Sequence, residues 1–397
     1  MTKLDELLNE LCPNGVPFKR LEECCSLEKG NTPIQKAIPG EYPLVVTTNE
    51  RKSSNTFQFD QPSVCVPLVS SRGHGVACLN QVFYQEGRFA LGNILCAVTP
   101  LRESGLSAEF LYYYLNLKKD SLIVPLMKGG ANVSLTVNSL KKVRVAIPPL
   151  SVQEEIIKRL QAFEDLLDTL SAELSARRKQ YEYYRNKLLS FNPQVTWKTL
   201  GDIGKVSMCK RIMKNETSSD GDVPFYKIGT FGKQADAYIS WETFERYKAQ
   251  YSYPNKGDIL ISAAGTIGRT VVFDGEPAYF QDSNIVWVDN DESQVLNEFL
   301  YYWYQTNPWK VSTGGTIARL YNDNISGAKV PVLPIDTQKR LVRALSNFDA
   351  VCNDLNIGLP AEIEARQKQY EYYRDLLLTF AETGSTLATD RQTDRLK

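Results

Sequence analysis

The sequence predicts an α+β protein in which two similar α/β domains are combined with two long helices that pair as a coiled coil. Three observations carry this. ARRKQYEYYR at 176–185 returns as ARQKQYEYYR at 365–374, a shift of 189 residues. Each copy lies on a run of apolar residues spaced four and three apart. Short β-rich runs bounded by turn residues fill the stretches that precede both copies.

The repeat extends well beyond the helix. Glu109-Phe110-Leu111-Tyr112-Tyr113 matches Glu298-Phe299-Leu300-Tyr301-Tyr302, and Gly129-Gly130 matches Gly314-Gly315. Each copy then enters a proline-bearing apolar strand, at 143–149 and 328–334, followed by a glutamine, Gln153 or Gln338. The starts correspond too, Val16-Pro17-Phe18-Lys19-Arg20-Leu21 with Val195-Thr196-Trp197-Lys198-Thr199-Leu200. This is one structural unit written twice, with a period far too long for a solenoid. Residues 30–100 and 205–290 diverge strongly, so each unit has a shared frame and a private middle. The expected organisation is a first domain over 1–150, a central helix over 151–191, a second domain over 192–335, a distal helix over 336–381 and a flexible tail over 382–397.

From Ile156 the central helix places Leu160, Phe163, Leu167, Leu170, Leu174, Arg177, Tyr181, Tyr184, Leu188 and Phe191 on one stripe, with only Arg177 polar. That is a heptad seam. About 40 residues at ~1.5 Å each make a helix roughly 60 Å long. A stripe so narrow cannot be buried by one helix alone. The second copy offers Leu341, Leu345, Phe348, Cys352 and Leu355, then Ile363, Arg366, Tyr370, Tyr373, Leu377 and Phe380. Between glutamine and repeat the second copy is four residues longer and contains Gly358-Leu359-Pro360, which breaks a helix. The first copy has the continuous Leu170-Ser171-Ala172-Glu173-Leu174 instead. Four residues are about one turn, or ~6 Å, so the central helix reads as a ruler adjustable in turns.

The divergent middles read as mixed α/β. Strand-like runs fall at 42–47, 64–70, 93–98, 258–262, 269–273 and 285–288, and the Phe/Tyr-rich segments 109–117 and 298–305 read as helices against a sheet. Polar turns between these elements are candidate nucleic-acid contacts. They supply Arg51, Lys52, Ser71, Arg72, His74, Lys128 and Asn132 in the first half, and Lys210, Arg211, Lys227, Arg269 and Arg319 in the second. Arginine and asparagine suit base edges, whereas lysine and serine suit phosphates.

Length and composition bound the rest. At 397 residues, 43% apolar and 23% charged, the chain is globular and too long for one ordinary core. No stretch approaches the ~18 apolar residues of a membrane span. Acids near the N-terminus (Asp5, Glu6) argue against a signal peptide, so the expected address is the cytoplasm. Eight cysteines without a C-x-x-C pair, beside one histidine, favour reduced, buried thiols over a metal site. Basic and acidic residues balance at 46 each, against a chain that coats nucleic acid indiscriminately. Locally, residues 12–150 carry 15 basic and 10 acidic side chains, and residues 196–335 carry 14 and 16. No phosphate-binding G-x-x-x-x-G-K-[ST] loop, dinucleotide fingerprint or Asn-Pro-Pro-aromatic motif is present, so the residues give no reason to expect an enzyme.

ARRKQYEYYRNKLLSF at 176–191 and ARQKQYEYYRDLLLTF at 365–380, each preceded by a proline-ending strand and a glutamine-led helix, resemble the repeated regions of type I restriction–modification specificity subunits. LPAEIEARQKQYEYYR at 359–374 is nearly a signature of that family, and LSAEL at 170–174 resembles the four-residue spacer unit of one subgroup. The resemblance implies two target recognition domains, each reading one half of a bipartite site on double-stranded DNA. An antiparallel coiled coil would separate them, its seam including Leu160, Phe163, Leu167, Leu170, Leu174, Tyr181, Tyr184, Leu345, Phe348, Leu355, Tyr370 and Tyr373. It further implies two methyltransferase subunits and two restriction/translocase subunits as partners. S-adenosylmethionine, ATP and Mg²⁺ would belong to those partners, with no cofactor or metal on this chain. Judged from the residues alone, a coiled-coil scaffold joining two protein-binding domains is the alternative.

Overall fold

The computed structural model describes residues 3–72, 75–310 and 319–383. Tertiary contacts divide the chain into two compact units, one of residues 1–170 with 363–397, the other of residues 171–362.

The first unit opens with α1 (Lys3–Leu11), β1 (Phe18–Arg20), α2 (Leu21–Cys24), β2 (Cys25–Lys29), β3 (Tyr42–Val45) and β4 (Lys52–Ser54). It continues through β5 (Ser63–Pro67), β6 (Phe83–Gln85), β7 (Ala90–Leu91), β8 (Leu95–Pro100), α3 (Ala108–Leu122), α4 (Val137–Lys141) and β9 (Arg144–Ala146) into α5 (Leu150–Leu188). The main sheet has the order β2-β8-β5-β6. Its strand β5 is buried at every position, which is why its sequence is a continuous Val-Cys-Val run without alternation. A second sheet has the order β4-β3-β7, and β1 pairs with β9. Against the main sheet lies α3, capped by the Ser107 hydroxyl, with Phe110, Leu111, Tyr114 and Leu115 buried.

The second unit repeats this plan. Its strands are β10 (Thr196–Thr199), β11 (Gly204–Ser207), β12 (Val223–Tyr226), β13 (Tyr238–Ile239), β14 (Ile259–Ser262), β15 (Thr270–Val272), β16 (Tyr279–Phe280), β17 (Ile285–Asn290) and β18 (Lys329–Val332). The sheet orders are β11-β17-β14-β15, β13-β12-β16 and β10-β18, matching the first unit strand for strand. Even the one parallel pairing recurs, β3 with β7 and β12 with β16. The duplication therefore runs through the middles that share no sequence. Its helices are α6 (Leu200–Ile203), α7 (Trp241–Gln250), α8 (Asn297–Tyr304), α9 (Asn322–Ser326) and α10 (Ile335–Asn353). Of these, α7 has no counterpart among the described residues of the first unit.

The long helices bind each unit together. In the first, the N-terminal part of α5 packs antiparallel on α11 (Leu359–Thr383): Phe163 stacks on Tyr373 at 5.6 Å and Glu164 accepts from the Tyr370 hydroxyl at 2.8 Å. Leu4 and Leu8 of α1 join Ile156, Leu160, Leu377 and Leu378 in the same core. In the second, Tyr184 of α5 stacks on Phe348 of α10, also at 5.6 Å, and Tyr181 and Leu345 are buried in one core. Each unit thus joins the glutamine-led helix of one repeat to the tyrosine-rich segment of the other.

The central helix is continuous over 39 residues, whereas the distal one breaks into α10 and α11 around Gly358. A side chain at Gly358 would lie 2.5 Å from the Ala350 carbonyl oxygen, so the turn admits only glycine. Leu355, expected in the seam, lies instead in that turn and is 73% exposed, because α10 has already ended at Asn353. Leu160, Leu170, Tyr181 and Leu345 are buried, and Phe163, Leu167, Leu174, Phe348, Tyr370 and Tyr373 are half-buried.

Candidate nucleic-acid interface

In the first unit, the turn after β5 and the turn before α4 are stitched together by backbone bonds. Ser70 N–H donates to the Val133 oxygen at 3.0 Å and Gly75 N–H to the Ala131 oxygen at 3.3 Å. Lys128 and Ser134 exchange both backbone bonds, at 2.8 and 2.9 Å. Gly129 makes this closure possible: at φ +144° a Cβ there would meet the Asn132 oxygen at 2.2 Å. The result gathers Ser71, Arg72, Lys128 and Asn132, all exposed, on one loop pair. His74 lies outside the described residues. Lys52 is exposed on β4, while Arg51 is turned inward. Its guanidinium donates to the Gln85 side chain at 3.0 Å and the Tyr84 carbonyl at 3.2 Å, and stacks over Phe83.

In the second unit a cleft of about 530 Å³ collects Arg211, Lys227 and Arg319. Their neighbours include Lys214, Gln281, Asn284 and one acid, Asp282. The cations are held in position. Arg211 Nε meets Asp282 at 2.9 Å, Lys227 Nζ meets Asp236 at 2.7 Å, and Arg319 donates to the Ser283 carbonyl. The Lys227–Asp236 pair is exposed on both sides and worth about 0–1 kcal/mol. Arg269 lies instead beside a second cavity, with one guanidinium nitrogen 3.0 Å from the Phe231 oxygen. Lys210 covers the Tyr251 ring at 5.3 Å. Lys214 was not among the residues expected from sequence, although the basic run Lys210-Arg211-…-Lys214 contains it. The glycine-rich segment 314–315 lies outside the described residues.

No group of acids, histidines and cysteines that would hold a metal occurs among the described residues. All eight cysteines are free, and all but Cys12 and Cys78 are buried. Burial pushes the Cys96 and Cys209 thiols up to about 12, so neither forms a thiolate near neutrality. Alkylation of the native protein at pH 8 is expected to label Cys12 and Cys78 first and to leave Cys65, Cys96 and Cys209 unmodified until unfolding. Mass spectrometry of the digested product reads this directly.

A duplicated α/β frame with private loops, built on shared long helices, defines a protein that presents two different recognition surfaces. The chain belongs to the type I restriction–modification DNA specificity family. The description of that family, "Type I restriction modification DNA specificity domain", matches it twice, over residues 13–177 and 194–365. It is 53% identical over 395 residues to a putative type I restriction enzyme specificity subunit of Haemophilus influenzae, covering 96% of this chain and 99% of that one. The EcoR124I/EcoR124II specificity subunit of Escherichia coli is 31% identical over 303 residues, covering 71% of this chain and 73% of that one. The crystal structure of the S subunit from M. genitalium shares the fold, with a TM-score of 0.53 at 18% identity over 93% of this chain and 96% of that one. This chain is therefore the DNA specificity subunit of a type I restriction–modification system, and as such non-catalytic.

Proposed function

We propose that the chain reads a bipartite DNA target, one half-site per unit, and that the helices connecting the units set the gap between half-sites. The observation that carries this is the strand-for-strand duplication of nine strands around loops of unrelated sequence. Equal scaffolds with different loops suit two different short sequences. Joining two modest contacts by a stiff connection makes the second one intramolecular, so tight binding requires both half-sites at the right separation.

The partners follow from the same repeat. Tyr183 and Tyr372 occupy the same position in the two tyrosine-rich segments and are 61% and 60% exposed. Two equal exposed aromatic sites fit two copies of one partner, here the methyltransferase subunit, with two restriction/translocase subunits added to that assembly. S-adenosylmethionine, ATP and Mg²⁺ would bind those partners. LSAEL at 170–174 fits the subgroup whose four-residue spacer varies in copy number.

Co-expression with the methyltransferase subunit, followed by mapping of methylated adenines on host DNA, is expected to show two short half-sites with a fixed gap. A single uninterrupted motif would overturn the bipartite reading. Within the second unit, the double variant Arg211→Glu with Lys214→Glu is expected to weaken DNA binding more than tenfold and to flatten its dependence on salt. Anisotropy titrations between about 50 and 200 mM salt measure both. Unchanged affinity and slope would place the second half-site elsewhere on this unit.

A further inference from the structure

The second cavity of the second unit, about 530 Å³, is bordered by the C-terminal part of α5, α10 and the turn between β14 and β15. Arg178, Arg185 and Arg269 line it together with two acids, Glu182 and Asp349, which leaves a net positive lining. The Arg185 Nε is buried without a hydrogen-bond partner. Neither Arg178 nor Arg185 has an ion pair among the described residues.

The repeat supplies an internal control. In the first unit the matching arginine, Arg374, gives Nε and an Nη to Asp375 at 3.0 and 2.8 Å. The residue matching Asp375 in the first copy is Asn186, that matching Gln367 is Arg178, and that matching Leu376 is Lys187. In otherwise nearly identical segments, all three exchanges make the first copy more positive. The space itself also differs. In the first unit Glu164 bridges the two sides by accepting from Tyr113 and Tyr370, both at 2.8 Å. Its counterpart Asp349 is one methylene shorter and accepts from Asn353 at 2.7 Å instead. The second-unit cavity thus holds three arginines against two acids, whereas in the first unit the arginine matching Arg185 is paired with Asp375.

This cavity adjoins the cleft that holds Arg211 and Arg319. The turn between β14 and β15 borders it through 266–270, and Ala263 in the same turn donates to the Asn284 oxygen at 2.7 Å and accepts from Leu320 N–H at 2.9 Å. Asn284 and Arg319 line the cleft on that side. The loop after β14 thus links the lining of the cavity to the lining of the cleft. Guanidinium forks match phosphate oxygens in geometry and charge.

We propose that Arg178 and Arg185 form a phosphodiester site for DNA in the gap, next to the half-site read by the second unit. The inference rests on the DNA reading of that cleft. A contact of this kind adds affinity without sequence information.

The test is the double variant Arg178→Gln with Asn186→Asp, which writes the second copy's residues into the first and so keeps a helix the chain already folds. The full chain is assayed in its complex with the methyltransferase subunit, on specific and scrambled duplexes across a salt series. Expected are a roughly 3–10-fold loss of affinity on both duplexes and a log–log salt slope shallower by about one, with the methylated sequence unchanged. Affinity and slope equal to those of the unaltered protein would overturn the site. So would intact DNA binding combined with loss of complex assembly, which would assign the arginines to a partner carboxylate. Absence of salt-dependent binding by the unaltered complex would instead overturn the DNA reading of the cleft.

Discussion

Replacing Gln153 with leucine is expected to destabilise the first unit by about 3–5 kcal/mol. The side chain is fully buried. Its oxygen accepts from Ser107 N–H at 2.8 Å, and its nitrogen donates to the Gly105 and Pro148 oxygens at 2.7 and 2.6 Å. Gln338 makes the equivalent three bonds in the second unit, to Leu296 N–H and the Gln294 and Leu333 oxygens, each at 2.8 Å. The amide has both a donor and an acceptor, which is what these positions demand. Each glutamine ties the start of α3 or α8 to the start of α5 or α10. Leucine fills the volume but leaves one donor and two acceptors stranded, at about 1–3 kcal/mol apiece before relaxation and the gain from apolar burial. For units of this size that is a fall in Tm of roughly 6–15 °C. Thermal unfolding of the full chain measures it, and a shift below about 2 °C would show the clamp to be dispensable. Gln338→Leu should act equally on the second unit.

The same glutamines show what the sequence could and could not reveal. Their recurrence after a proline-bearing strand marks them as equivalent, yet nothing in spacing tells that both are buried clamps. The long helices are legible because a heptad stripe is a local periodic signal. The break at Gly358 is legible for the same reason, and the placing of Leu355 fails just beyond α10, because seam spacing does not continue past the helix end. Helix α1 carries no comparable signal: Leu4 and Leu8 form one short stripe, whose burial depends on α5 and α11, far away in sequence. Candidate contact residues divide along similar lines. Polar turns locate the loop pair carrying Ser71, Arg72, Lys128 and Asn132, but only the tertiary structure turns Arg51 inward and brings Lys227 and Arg319 into one cleft with Arg211. Pairing of side chains across a fold leaves no periodic trace in the chain.

Duplicating residues 171–174 is expected to move the gap between half-sites and leave both half-sites as they are. The two compact units divide between Leu170 and Ser171 on α5 and between Glu362 and Ile363 on α11. Both divisions fall in matched pentads, LSAEL at 170–174 and LPAEI at 359–363. Four residues added to α5 amount to about 6 Å of helix, somewhat under two base-pair rises of ~3.4 Å. The inserted turn touches none of the residues assigned to DNA contact, so base preferences in each half are retained. The nonhelical turn at 354–358, where Leu355 and Ile357 are 73% and 82% exposed, is where the distal pair has slack to follow the longer helix. Because avidity from two joined contacts is worth about 10²–10⁴ and vanishes when geometry forbids simultaneous engagement, the original target should lose at least about a hundredfold in affinity. Mapping methylated adenines in cells carrying the duplication is expected to return the same two half-sites with a gap longer by about one or two base pairs. An unchanged gap with altered half-sites would show that the helices do not measure distance and that the loops alone fix the target.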